Sequence, residues 1–328
     1  MKRVFIFLIL VIIIILLAIF IEYKGGKKKL LTKKNISAII TSGWSAPDSN
    51  KIPGTPEGSL IKYGRNLITN TSYYFGPAGI ISKAGNGMNC QNCHMDAGTK
   101  MFGNNYSLVA NAYPRYKERS GSVETVEKKV QDCFERSMNG YVIDRNGKEM
   151  KAFVAYLNWV GSNVTKSVKP PGSGIEELPF LDKAADTLKG RIVYISKCQT
   201  CHGKNGEGQL LPHRMGYLYP PVWGENSYNI GASIYRISKL AGFVKNNMPL
   251  GASHEKPQLS NEESWNVAAL INANYHPYKN ISGDWPNLNT KPFDYPFGPY
   301  AGNKFSEEAH KFGPFAPIKN YYANKDKK

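Results

Sequence analysis

Two five-residue runs constrain this chain more than anything else in it: Cys90-Gln91-Asn92-Cys93-His94 and Cys198-Gln199-Thr200-Cys201-His202. Two thiols one helical turn apart can add to the two vinyl groups of a haem. The next residue then carries an imidazole to the iron, and together these form the c-type attachment pattern. A Cys-x-x-Cys alone would suit a redox disulfide or half a zinc site. The adjoining His and the duplication argue against both. Two covalently bound haem c groups are therefore expected, attached at Cys90, Cys93, Cys198 and Cys201, with His94 and His202 as axial ligands.

The flanks repeat as well. Leu188-Lys189-Gly190-Arg191-Ile192-Val193-Tyr194 precedes the second motif and is apolar at helical intervals, and Leu60 to Leu67 is a matching lead-in to the first. Each half closes with an amphipathic helix, Met150 to Val160 and Glu262 to Asn272. Phe153, Val154, Leu157 and Val160 recur as a buried helix face should. This pattern resembles the first helix and haem loop of class I cytochromes c. The expected fold is mainly α, with two class I cytochrome c-like domains in tandem, long ordered loops and an N-terminal transmembrane helix. A chain of 328 residues is long enough for two such domains. They are assigned to 52–165 and 183–277. A linker at 166–182 contains Pro170-Pro171-Gly172, and a Pro- and aromatic-rich tail, 278–328, carries no assigned chemistry.

The first residues, Met1-Lys2-Arg3, lead into an apolar stretch from Val4 to Ile21. Its length nearly spans a bilayer, and no small-residue cleavage site follows, so an uncleaved anchor at 1–23 is expected, with a removed signal peptide as the alternative. A basic tether, 24–51, comes next. Its lysines, Lys27 to Lys29 with Lys33 and Lys34, would by the positive-inside rule keep the bulk of the chain in the cytoplasm. Covalent haem attachment is an extracytoplasmic process in bacteria and overrides that rule, so a periplasmic location is expected. The net charge is +17, but the Lys and Arg residues beyond the tether are scattered. That fits small anions or an acidic protein partner rather than nucleic acid.

The second ligand of each iron is less local. In the second half Met248, in Asn246-Asn247-Met248-Pro249-Leu250-Gly251, lies where class I cytochromes place a thioether ligand; Met215 competes. His/Met ligation raises a haem potential and suits electron transfer. The first half has no Met-Pro. It offers Met101, Met138, Met150 and the fifth cysteine, Cys133, which follows His94 at an interval comparable with that from His202 to Met248. Val126, Val130, Cys133 and Ser137 fall on one face of an expected helix. A small buried cysteine is the ordinary fate of such a residue.

Longer stretches carry a more specific resemblance. Asn89 to Thr99, Tyr113-Pro114-Arg115-Tyr116-Lys117-Glu118-Arg119-Ser120-Gly121 and Asp132-Cys133-Phe134-Glu135-Arg136-Ser137 are similar to the di-haem thiosulfate dehydrogenases. So are Tyr219-Pro220-Pro221-Val222-Trp223-Gly224, Asn247 to Gly251 and Phe297-Gly298-Pro299-Tyr300. The similarity runs from about residue 52 to 318. It implies oxidation of thiosulfate to tetrathionate, reversible in some members, at a haem held by His94 and Cys133, with electrons leaving through a second haem held by His202 and Met248. Arg119 matches a substrate-binding Arg of the family, and Lys129 stands where members often have a second Arg. That change keeps the charge but loses the planar fork. Ser137 would donate to a sulfonate oxygen. A covalent bond from Cys133 to the outer sulfur of thiosulfate is left open. Some members carry a Lys directly before the Met; here that residue is Asn247, with Lys245 nearby, so a ligand exchange at the second iron is not expected. The expected partners are thiosulfate, tetrathionate, the membrane through the N-terminal segment, and a redox partner such as a small cytochrome c or a membrane electron-transfer component. A non-catalytic electron carrier and a thiosulfate-to-cysteine transferase like the SoxAX cytochromes are the competing readings.

Overall fold

The computed structural model describes residues 43–212, 215–302 and 304–325. The expected anchor and most of the tether lie outside the described residues. Among the described residues, no helix is long and apolar enough to cross a membrane.

In the first half, α1 (Pro56–Thr69), a hairpin of β1 (Arg115–Lys117) and β2 (Ser122–Glu124), α2 (Val126–Asp132) and α3 (Lys148–Val160) follow in order. Helix α1 starts where Thr55 accepts a hydrogen bond from the Gly58 N–H and Pro56 takes the first turn. It crosses α3 with backbones almost touching: a Cβ built on Gly64 would lie 2.0 Å from the Ala152 carbonyl oxygen. Leu67, Ile68, Phe75, Phe134, Phe153 and Tyr156 fill the core around that crossing. Trp44, assigned to the tether from sequence, belongs to this core, and its indole donates to Asn163 Oδ1 at 3.0 Å.

The second half repeats the device. Helix α4 (Thr187–Lys197) is capped by Asp186, whose side chain accepts from the N–H groups of Leu188 and Lys189. Helices α5 (Ile237–Asn247) and α6 (Asn261–Ala273) follow, and Ser260 and Glu263 form a reciprocal capping box at the start of α6. Gly190 of α4 meets α6 as Gly64 meets α3, with a built Cβ 2.0 Å from Asn266 O. The tail is not a loose appendage. Helices α7 (Glu307–Phe312) and α8 (Phe315–Lys325) close the second core, where Phe315 and Ile318 are buried.

Residues of the expected linker lie against the first half rather than free. Pro171, Gly172 and Gly174 offer their carbonyls to the N–H groups of Trp44, Phe102 and Asn104 at 2.9, 2.8 and 2.9 Å. Arg136 and Asp284 make a two-pronged ion pair at 2.7 Å per prong, tying the helical turn that follows α2 to the tail. Half-buried and bidentate, such a pair holds its partners in one geometry.

Candidate functional site: two apolar cavities and a basic pocket

The expected helix through Cys133 does not run through in one form. Helix α2 ends at Asp132, and Cys133–Ser137 form a π-helical turn in which Met138 N–H reaches back to Cys133 O at 2.9 Å. Wide turns of this kind concentrate at functional sites, because they re-aim side chains that α-spacing would send elsewhere. Here the turn still sets Cys133 and Ser137 on the wall of one cavity of about 200 Å³, together with Cys90, Cys93 and His94. Its remaining wall is largely apolar, with Ile68, Val109, Val126, Phe134, Phe153 and Leu157.

A second cavity, of about 310 Å³, gathers Cys198, Cys201, His202 and Met248. Leu240, Phe243, Val267 and Ile271 line it from α5 and α6. Met215 is not on its wall, and neither is Lys245, whose ammonium donates to Leu259 O at 2.5 Å. Asn247 lines the cavity and donates to the carbonyls of Phe243 and Phe102. Met88 and Cys93 face both cavities, so the two spaces share a wall.

Both cavities suit a covalently held haem. No cysteine among the five is in a disulfide, and two from each motif point into an apolar space. Burial pushes the Cys90 and Cys93 thiols up to about 12, which disfavours the thiolates a zinc site would need. His94 meets Asn104 O through Nδ1 at 2.5 Å, and His202 meets Pro220 O through Nδ1 at 2.8 Å. Each imidazole therefore spends its N–H on a carbonyl and keeps the Nε2 lone pair for a metal, the usual outer support of a ligating histidine. Burial pushes His94 down to about 4, keeping the ring neutral as a ligand must be.

A third space, of about 580 Å³ and more polar, opens beside the first cavity and shares Cys93, His94, Asn104, Lys129, Cys133 and Ser137 with it. Arg119 lies on its wall, held by Asp132 Oδ2 at 3.2 Å. Asp132 is itself buried. Burial works against its charge, but the Lys128 ammonium, hydrogen-bonded at 2.6 Å, and the charges of Arg119 and Lys129 hold its carboxyl below the ordinary range. A fixed carboxylate orients the guanidinium, and its other terminal nitrogen, Nη1, reaches Gly231 O and Ser233 Oγ at 3.5 Å each.

All four catalytic candidates, Arg119, Lys129, Cys133 and Ser137, thus meet at one pocket. Sequence reasoning missed several neighbours. Arg115 and Lys117 come from the hairpin, Arg236 and Lys239 from the second half, and Trp285 and Tyr295 from the tail. Arg115 and Lys117 stand inside a stretch singled out above for its resemblance, and that was the one signal that could have pointed to them. Nothing local marked the others.

The SoxA/TsdA cytochrome c domain family matches residues 82–164. The thiosulfate dehydrogenase of Stutzerimonas stutzeri (strain A1501) is 32% identical over 260 residues, covering 79% of this chain and 81% of that protein. That of Allochromatium vinosum is 33% identical over 249 residues, covering 74% of this chain and 88% of that protein. Among solved structures, the thiosulfate dehydrogenase (TsdBA) from Marichromatium purpuratum in its as-isolated form aligns with a TM-score of 0.67 at 29% identity over 79% of this chain. The chain spans 54% of that longer protein.

Proposed function

The chain belongs to the thiosulfate dehydrogenase family of cytochromes c, and from that premise we propose that it joins two thiosulfates into tetrathionate in the periplasm and also runs the reverse reaction. The observation that carries this reading is the place of Cys133, whose side chain lines both the apolar cavity of the first motif and the basic pocket beside it. The same sulfur is offered to an iron on one side and to an anion on the other.

In this reading two cytochrome c-like units each hold one haem, through Cys90, Cys93, His94 and Cys133 in the first and Cys198, Cys201, His202 and Met248 in the second. Bound there, each haem would take up one electron, and together they match the two released when two thiosulfates join. The protein's own work is to hold two dianions against their mutual repulsion. Arg119, steadied by Asp132, and Lys129 supply fixed positive charge, and Ser137 supplies a donor, beside Cys133. A bond from Cys133 Sγ to the outer sulfur of one thiosulfate releases both electrons. Attack by the outer sulfur of the second thiosulfate on that same sulfur then yields tetrathionate and returns the Cys133 thiolate. The wall shared by the two cavities at Met88 and Cys93 supports passage from the first unit to the second. The exit partner would be an acidic small cytochrome c or a membrane component, in keeping with the net charge of +17.

The purified holoprotein tests the reading directly. It should reduce ferricyanide with thiosulfate, and oxidise reduced viologen with tetrathionate. Activity in neither assay, with two haems attached, would leave only the electron-carrier reading, and thiosulfate transfer to a carrier cysteine would favour the SoxAX-like one. The second unit makes a separate prediction. The oxidised protein should show a methionine-sulfur band at the red end of the spectrum that Met248→Gly removes, whereas Lys245→Met should leave it intact; a band that survives Met248→Gly would place the ligand elsewhere.

A further inference from the structure

The pocket beside Cys133 carries more positive charge than Arg119 and Lys129. Six cationic side chains line it: Arg115, Lys117, Arg119, Lys129, Arg236 and Lys239. Three are already committed to carboxylates, Arg119 to Asp132, Arg236 to Asp294 and Lys239 to Glu177. Among the described residues, Arg115, Lys117 and Lys129 have no ion-pair partner. Two carboxylates also line the space. Glu118 is exposed, and the buried Glu124 accepts a hydrogen bond from Ser120 Oγ at 2.7 Å.

The hairpin explains how Lys117 gets there. β1 and β2 pair antiparallel with Arg115 opposite Glu124, Tyr116 opposite Val123 and Lys117 opposite Ser122. Side chains alternate along a strand, so Arg115 and Lys117 share the face that lines the pocket while Tyr116 turns outward. The turn is closed by Gly121 N–H on Lys117 O at 2.9 Å, with Gly121 at φ 61°, and Trp285 N–H from the tail pins Arg119 O at 2.7 Å. Lys117 is half-buried and its ammonium sits 5.2 Å from the centre of the Tyr113 ring. A half-buried ammonium among like charges without a counter-ion is a costly arrangement unless an anion completes it.

We propose that Lys117, backed by Arg115, holds a second sulfonate in this pocket, distinct from the one held by Arg119, Lys129 and Ser137 beside Cys133. This deepens the thiosulfate–tetrathionate reading and rests on it: one dianion sits at Cys133, and the hairpin presents the other, or the far sulfonate of tetrathionate.

The electrostatics agree with this geometry. Burial first, then the charges of Arg115 and Lys129, push Lys117 down to about 8, against a smaller opposing pull from Glu124; Arg119 adds to the lowering. The other titratable or charged groups lining the pocket are Cys93, His94, Glu118, Cys133, Arg236, Lys239 and Tyr295. The protonated form binds the anion, so binding is present below this value and is lost as pH rises through it. In the free enzyme kcat/KM for thiosulfate should therefore fall above about pH 8.

Steady-state kinetics of the holoprotein test the assignment. Lys117→Gln should raise KM for thiosulfate about tenfold or more, the worth of one charge-assisted hydrogen bond, with kcat changed far less. Lys117→Arg should restore KM and move the alkaline fall to higher pH. An unchanged KM in Lys117→Gln, or a loss of kcat alone, would overturn the second subsite. If the wild type turned over neither thiosulfate nor tetrathionate, the functional reading would fail instead. Calorimetric titration of the oxidised holoprotein with tetrathionate would still read the subsite: weaker binding in Lys117→Gln supports it, and equal binding refutes it.

Discussion

Cys133→Gly should abolish thiosulfate turnover, lowering kcat/KM by at least about a thousandfold, because residues that act as one catalytic unit fail together. Haem content should stay at two per chain, since in the proposed reading the covalent attachment uses Cys90, Cys93, Cys198 and Cys201 instead. The fold should also survive. Cys133 sits at the start of the π-helical turn, whose hydrogen bond to Met138 N–H is made by the backbone carbonyl and not by the side chain. The ferricyanide assay, a pyridine haemochrome assay and circular dichroism check the three parts separately. Full turnover in the variant would remove both roles given to the residue, as iron ligand and as bonding sulfur. Redox potentiometry adds a direction: loss of a thiolate, which would push electron density onto the iron, should raise the potential of the first haem.

A second large effect concerns the fold, and it reverses the usual sign of a helix substitution. In an open helix position, Gly→Ala gains about 1 kcal/mol from propensity. At Gly64 the new Cβ would fall 2.0 Å from Ala152 O and 2.7 Å from Tyr156 Cβ, and at Gly190 it would fall 2.0 Å from Asn266 O and 3.0 Å from Leu270 Cβ. The facing atoms are largely backbone, so the helices themselves must part, and overpacking of that kind costs about 1–3 kcal/mol or more. Gly64→Ala and Gly190→Ala should each lower the melting temperature clearly, and valine at either place should prevent recovery of folded holoprotein. Gly54→Ala is the control, because nothing lies within 4 Å of its added Cβ. Melting followed by circular dichroism would decide it; a stabilised Gly64→Ala would show that the two helices do not cross as closely as described.

The sites of these two predictions differ in how they could be found. Cys133 was visible as the cysteine left over from two motifs, at an interval from His94 that suggested a ligand. The helices α1, α3, α4 and α6 were visible too, because the apolar positions recur at the helical period. Gly64 and Gly190 lie inside the very stretches read as helical lead-ins, yet nothing in a single sequence marks a glycine as a contact point. That property belongs to the facing carbonyl, which is distant in sequence. The expected helix through Ser137 was right in place but not in kind, since α and π turns share the same short-range hydrogen-bonding residues and differ only in which carbonyl is taken.

The division has a physical reason. The covalent attachment and first axial ligand proposed for each motif would act over five consecutive residues, so spacing alone pointed to them, and periodicity pointed to the helices that enclose them. Charge balance is a property of space. Only the tertiary structure decided that Arg119 is held by Asp132, that Arg115 and Lys117 have no ion-pair partner among the described residues, and that Arg236 and Lys239 from the second half complete the same wall. It also gave the tail a task the sequence left blank: Trp285 and Tyr295 line the pocket, and Asp284 grips Arg136 just past Cys133. An ion pair or a pocket wall depends on which groups approach within a few ångströms, and that is settled by packing, not by order along the chain.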